Sequence, residues 1–242
     1  MKDVTVCIVV NNEYYSTRYC IENLLNKTDS KPTINICNTN TTDDRIETFC
    51  EEICKEFKGV YIKNNNVNLS DCYNQLLEHS KTHYTCIFPI NVLVSKFWLE
   101  DLIYNYVTHS TIPGILSIRN GHENLKLHPV LYENYNRSEH EIHNVWMGEI
   151  PVVEGLMFFA TDHLDKIGKF NVDINLNGYL QQEFCFRFVL NNLKSYYIRK
   201  QTLFKIQSED KFLFPNKTKE SFILYKNIIE DLVKLNKYER AD

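Results

Sequence analysis

No apolar run in this 242-residue chain approaches the ~20 residues that a membrane-spanning helix needs. The chain begins Met1-Lys2-Asp3 and runs straight into a short apolar strand without a signal-peptide hydrophobic region, so a cytoplasmic location is expected. Positive charge is not in excess. Lys and Arg number 27 against 31 Asp and Glu, and a net charge of −4 argues against nucleic acid or an anionic membrane as partner. Glycine and proline are scarce, at 7 and 6, and there is no Gly/Pro linker, internal repeat or sign of a separate second domain. C-x-x-C pairs are absent too. Eight cysteines are scattered, only Cys50 and Cys54 lying four apart, which fits buried reduced thiols better than a disulfide framework or a zinc site. Sequons at Asn26, Asn40, Asn68, Asn136 and Asn216 follow from asparagine abundance and imply nothing without a secretory signal.

What is present is 43% hydrophobic and 24% charged, enough for one sizeable core. Val4 to Val10 is an almost continuous β-branched run that suits a strand buried on both faces. A helix capped by Ser16 or Thr17 should follow, to about Lys27. Strands are then expected at Thr33–Cys37, Val60–Ile62 and Tyr84–Phe88, with helices at Asp44–Phe57, Ser70–Ser80 and Lys96–His109 between and after them. This alternation predicts an open, mostly parallel α/β sheet, with ligand bound beyond the carboxyl ends of its strands. The second half is less regular. Strands are expected at Ile115–Ile118, Val152–Ala160 and Ser195–Ile198, a short helix from Thr161 to Gly168, and another helix at Leu180–Leu190. Gly121 to Ile150 is polar and aperiodic, the best stretch for a substrate-facing segment. Asn216 to Tyr238 reads as a C-terminal amphipathic helix.

Six segments, in order, resemble a family-two glycosyltransferase of the GT-A fold. VTVCIVVNNEYYSTRYCIENLL is similar to that family's first strand, loop and helix; INICNTNTTDD resembles its V-V-D-N-G-S-T-D segment. NNVNLSDCYNQLLEHSKTHYTCIF resembles its third helix entry and fourth strand, and Trp98-Leu99-Glu100 its W-L-E signature. VEGLMFFATDHLDKIGKFN is similar to its glycine-containing strand and G-G-F-D segment, and QQEFCFRF to its E-D-x-[DE]-L-x-x-R helix. The resemblance spans roughly Val4 to Ile198 and implies a single GT-A, Rossmann-like domain over residues 1–242. Residues 1–110 would be its nucleotide-binding half, 111–210 its acceptor side and 211–242 its C-terminal helix. It also implies a UDP- or GDP-type nucleotide sugar as donor, and a glycan or protein hydroxyl as acceptor.

The implied donor-binding set is Val10, Asn11, Asn12, Asn38, Asn40, Asn66, Ile90, Asn91 and Arg187. The sequence departs from the family where the chemistry would sit. The family's metal-binding D-x-D falls on Pro89-Ile90-Asn91, which offers one neutral oxygen, so Mn²⁺ or Mg²⁺ is weakly supported and no metal ligand is assigned. The same three residues can be simply a strand end. Asn38 replaces the aspartate that contacts the nucleoside; an amide still accepts and donates hydrogen bonds, but it is equally a turn former. Gln181 stands at the usual general-base position and cannot take a proton. Glu183 could substitute for it, or act only as a helix charge, while Arg187 could meet pyrophosphate or pair with Glu183 at i,i+4. His122, His128, His140 and His143, with Glu123, Glu139, Glu141 and Glu149, match no metal motif. Tyr132, Tyr135 and Trp146 could stack on a sugar, and Lys200, Lys205 or Lys211 could hold diphosphate. Three readings follow: a metal-dependent transferase, a metal-free one, or a catalytically inactive binding or scaffold protein on the same fold.

Overall fold

The computed structural model describes residues 3–11, 13–39, 41–65, 68–90, 92–109, 113–120, 147–150, 153, 155–172, 179–205, 223 and 226–231. Three β-α steps and a fourth strand open the chain. Strands β1 (Val4–Val10), β2 (Thr33–Thr39), β3 (Tyr61–Asn64) and β4 (Tyr84–Phe88) alternate with helices α1 (Tyr14–Asn26), α2 (Asp44–Glu56) and α3 (Leu69–Glu78). Then come β5 (Val92–Val94), α4 (Trp98–Thr108), β6 (Leu116–Asn120), β7 (Met147–Ile150) and β8 (Met157–Ala160). A short helix α5 (Leu164–Ile167), α6 (Leu180–Leu190) and β9 (Ser195–Lys205) follow. Among the described residues these nine strands form one sheet, ordered β3-β2-β1-β4-β8-β6-β9-β5, with β7 beside β9.

The first four strands are parallel, as the alternation predicts. Beyond β4 the sheet is mixed: β8 is antiparallel to β4 and to β6, β9 antiparallel to β5 and β7, and only β6 and β9 run parallel. Strand direction is set by pairing across the sheet, so the pattern along the chain shows where strands lie and not which way they run.

Side chains alternate between two faces. Val4, Val6, Ile8 and Val10 of β1 pack with Ile34 and Ile36 of β2 against Ile21 and Leu24 of α1, Ile46 of α2 and Trp98 of α4. Cys7, Val9 and Cys37 face the other way, onto Cys72, Tyr73 and Leu76 of α3 and Phe184 and Phe188 of α6. Val4–Val10 is buried throughout, which is why it reads as a continuous run. In the second layer Phe170 stacks on Phe184 at 4.3 Å, and Phe159 meets Phe184 at a tilt and Phe188 edgewise, each at 5.8 Å. All eight cysteines are buried and unbonded to one another.

Several boundaries differ from the sequence expectation. α1 starts at Tyr14, not after Ser16; Ser16 Oγ hydrogen-bonds the Glu13 carboxylate at 2.6 Å instead of capping. α2 is capped by Asp43, whose side chain accepts from Arg45 N, and α3 by Asn68, whose side chain accepts from Ser70 N. α4 begins at Trp98, after Phe97 in a left-handed conformation (φ 65°). β5 was not anticipated, being only three residues long. Of the expected C-terminal helix, residue 223 and residues 226–231 are described, and they are helical. No described helix is long and apolar enough to cross a membrane.

Candidate functional site

Parallel order brings the carboxyl ends of β1, β2 and β3 side by side. Val10 pairs with Asn38, Asn38 with Lys63, and Thr39 with Asn64. Of the sequence-predicted donor residues, this end gathers Val10, Asn11 and Asn38, and the end of β4 carries Ile90 one strand further on. Asn12, Asn40, Asn66 and Asn91 lie outside the described residues. So do the histidine cluster and Tyr132, Tyr135, Trp146 and Lys211. Val10 is fully buried, and Ile90, 7% exposed, belongs to the hydrophobic core.

Asn38 is the polar residue that stands out. It is fully buried, its Nδ2 donates to the Tyr61 hydroxyl at 2.8 Å, and its Oδ1 has no partner. Burial pushes the Tyr61 phenol up to about 12, with the Asn38 hydrogen bond working against it, so Tyr61 stays neutral and in place. With the amide N–H₂ engaged, what Asn38 has to spare is an acceptor. A buried acceptor without a partner costs ~1–3 kcal/mol. An N–H or O–H donor satisfies it; a phosphate, which offers only acceptors, does not. Tyr61 was not anticipated as part of the site. Its link to Asn38 comes through the β2–β3 register, Ile36 beside Tyr61, which no local pattern encodes.

Gln181 and Glu183, the two positions the sequence offered for catalysis, are held inside the fold with Arg187. Gln181 grips Gly155 twice, Nε2 donating to its carbonyl and Oε1 accepting from its N–H, both at 2.9 Å. Gly155 has φ 106°, a backbone that side-chain-bearing residues rarely adopt. The Glu183 side chain is 2% exposed and takes Arg187 Nη2 at 2.9 Å, while Arg187 Nε lies 2.9 Å from its other oxygen, within ion-pairing reach though off the hydrogen-bond line. Arg187 Nη1 donates to the Ile167 carbonyl, and its guanidinium lies 5.2 Å from the Phe184 ring centroid. Gly168, at φ 75°, ends α5 beside that guanidinium. Burial pushes the Glu183 carboxyl above its ordinary value, and Arg187 only partly offsets this. The i,i+4 pairing left open by the sequence is thus the geometry adopted.

Other residues of the quoted motifs are also brackets. Asn74 of α3 grips Phe170 as Gln181 grips Gly155, donating to its carbonyl and accepting from its N–H at 2.8 Å each. Glu100 Oε1 accepts from Thr28 Oγ1, Asp29 N and Ser30 N at 2.6, 3.0 and 2.7 Å, and Trp98 Nε1 donates to the Leu24 carbonyl at 3.2 Å.

A divalent ion does not fit the described strand ends. Val10, Asn11, Asn38, Thr39, Asn64, Phe88, Pro89 and Ile90 carry no carboxylate, and no cluster of three His, Cys, Asp or Glu occurs among the described residues. Hard cations take oxygen ligands, with one or two carboxylates among them even where substrate phosphates and waters supply the rest.

No family model and no curated protein matches this sequence. Solved structures do. Residues 1–349 of TarS from S. aureus, bound to UDP-GlcNAc, superpose with a TM-score of 0.72 at 13% identity, over 96% of this chain and 66% of that one. GalNAc-T7 with UDP, GalNAc and Mn²⁺ gives 0.69 at 11%, over 95% and 48%. The mannosyltransferase PcManGT from Pyrobaculum calidifontis, with GDP-Man and Mn²⁺, gives 0.64 at 14%, over 98% and 73%. The chain therefore spans under two thirds of the TarS fragment and about half of GalNAc-T7. Superposition over nearly the whole of this chain, on proteins that share so little sequence with it, shows that its fold is the GT-A fold of the nucleotide-sugar glycosyltransferases.

Proposed function

We propose that this chain binds a nucleotide sugar of the UDP or GDP type across the carboxyl ends of β1 to β4 and transfers the sugar to a hydroxyl of a glycan or protein. Residues 1–110 hold the nucleotide in this reading, and residues 111–210 form the acceptor side. The observation that carries it is the buried, unpartnered Oδ1 of Asn38 at the strand ends of a GT-A sheet. That acceptor suits a ring N–H of a uracil or guanine base, or a ribose hydroxyl.

Transfer breaks the bond between the anomeric carbon and the diphosphate oxygen and forms one to the acceptor oxygen, whose proton must go to a base. Gln181 takes no proton, and Glu183 can do so only after release from Arg187. A second reading, nucleotide-sugar binding without transfer, is favoured by this same commitment of Gln181, Glu183 and Arg187 to contacts within the fold.

Thermal-shift titration with UDP-, GDP-, TDP- and CMP-sugars, with and without Mn²⁺, tests both. Binding to the native state raises the melting temperature. A rise with UDP- or GDP-sugar supports the site, and release of UDP or GDP with an acceptor then separates transfer from binding alone. A folded protein that no nucleotide sugar stabilises overturns the proposal.

A further inference from the structure

An asparagine amide carries two groups of nearly the same shape and opposite hydrogen-bonding sense, so an untethered one can turn to offer either oxygen or nitrogen. Asn38 is tethered. It is fully buried one residue short of the end of β2, beside Val10, the last residue of β1. Its Nδ2 donates to the Tyr61 hydroxyl at 2.8 Å, and its Oδ1 has no partner. The register places Tyr61 level with Ile36, two residues before Asn38 on the same face, from where its hydroxyl reaches the amide. Tyr61 is only half-buried, as is Asn11 directly after Val10, so the amide lies one side chain below the surface of the strand ends. A phenol can donate or accept, and its surroundings decide which. Glu47 and Glu51 of α2 add to the burial that keeps the proton on Tyr61, and their negative charge draws the positive end of the O–H dipole toward α2. The phenol lone pairs are left for the Asn38 N–H₂, which turns the amide oxygen the other way. Lys63, beside Asn38 in register, directs its ammonium to Glu47 at 2.6 Å and not to that oxygen.

We propose that Tyr61 is a positioning residue for base selection. By holding the Asn38 amide with its oxygen free for the ligand, it favours bases that bring a ring N–H, uracil or guanine. Cytosine and adenine, which bring a ring-nitrogen lone pair to the same place, are disfavoured. This inference rests on the proposed nucleotide-sugar site and narrows what that site accepts. A ribose hydroxyl both donates and accepts, so either setting of the amide would satisfy it; a ring N–H is satisfied by this setting alone. Uracil fills the unpartnered acceptor, whereas cytosine sets a second acceptor against it and leaves both unpaired in a buried place. Tyr61 touches neither base nor sugar in this scheme and acts through Asn38.

UDP and CDP are the probes, since they differ only in the group at C4 of the base and in the proton at N3. Calorimetric titration gives Kd for each with the full chain as wild type, Tyr61→Phe, Asn38→Asp and the double variant, each shown to be folded by its melting curve. Wild type should bind UDP about tenfold or more tightly than CDP, the penalty of an unpaired buried group. Tyr61→Phe frees the amide to turn, so the ratio should fall toward one. Asn38→Asp carries oxygen in both settings and needs no tether. It should therefore keep the preference for UDP, and keep it in the double variant as well. Equal affinities or a CDP preference in wild type, or an unchanged ratio in Tyr61→Phe, overturns the role of Tyr61 and leaves the nucleotide site standing. A preference lost in Tyr61→Phe and still missing in the double variant also overturns it, by assigning the loss to displaced structure. Binding of neither nucleotide to folded wild type overturns the proposed function, and this inference with it.

Discussion

The Glu183 carboxylate, offered by the sequence as a substitute base or a helix charge, is engaged by Arg187 four residues on in the same helix. Burial raises its carboxyl and Arg187 only partly restores it, so the pair is a bracket between α6 and the end of α5. Arg187→Met leaves the carboxylate buried without its partner, a change that costs about 3–5 kcal/mol. The sign with pH follows from linkage. A carboxyl raised in the folded state is fully stabilising below its unfolded value of about 4.3, and loses that contribution as pH rises through the folded value. Urea unfolding of Arg187→Met should therefore show a deficit that grows from pH 4 toward pH 7. A deficit that is flat with pH would mean that the carboxylate finds another partner. The i,i+4 spacing made this pair legible, as one of two options, because both residues lie on one helix. The Asn38–Tyr61 contact was not legible, because its two residues meet only through the sheet.

At the scale of elements, the lock between α1 and α4 governs how the segment after β4 is held. Phe97 N donates to Lys27 O at 2.7 Å, Val94 N to Asn23 Oδ1 at 2.8 Å and Trp98 Nε1 to Leu24 O, while Glu100 closes over residues 28–30. These contacts fix both ends of the stretch from β5 to α4. The hydrogen bonds from Ser30 and Thr28 hold the Glu100 carboxyl below its ordinary value in spite of burial. Glu100→Ala removes an ionised acceptor of three hydrogen bonds, and a loss of about 2–3 kcal/mol is expected. A depressed folded value means that this contribution is present above the unfolded value and disappears as pH falls through the folded one. Melting temperatures of wild type and Glu100→Ala should thus converge in acid and separate at neutral pH; a constant gap would assign the effect to packing. Elements with a long apolar pattern, such as β1 and α6, were readable within a residue. β5 escaped because three residues carry no period, and the start of α1 because Ser16 turns to Glu13.

Over the whole molecule, the resemblance divides by role. Several residues of the segments that carry the resemblance bracket the fold: Asn74 on Phe170, Trp98 and Glu100 on α1, and Glu183 with Arg187. Where the resemblance implies contact with donor charge or uptake of a proton, the sequence reads Asn38, Pro89-Ile90-Asn91 and Gln181, and Gln181 is a bracket too. That division explains why the fold could be read from the sequence while the chemistry could not. Packing and backbone clamps constrain many residues at once, whereas a site can change at three positions without disturbing the sheet. It also has a consequence for the intact protein. If the strand ends retain their architecture and have lost only charge, returning carboxylates should return a cation response. Pro89→Asp with Asn91→Asp restores the D-x-D spacing and spares Ile90, whose side chain is in the core, so a third carboxylate is not forced into apolar surroundings. Melting of this variant with UDP should rise further when Mn²⁺ is added, by the equivalent of about 2.7 kcal/mol at a hundredfold excess of ligand over its Kd. The wild type should show no such Mn²⁺ dependence. A folded variant that binds UDP without responding to Mn²⁺ would mean that residues 89 and 91 do not stand where the family's metal motif stands. The departure from the family would then lie in the path of the loop and not merely in its charge.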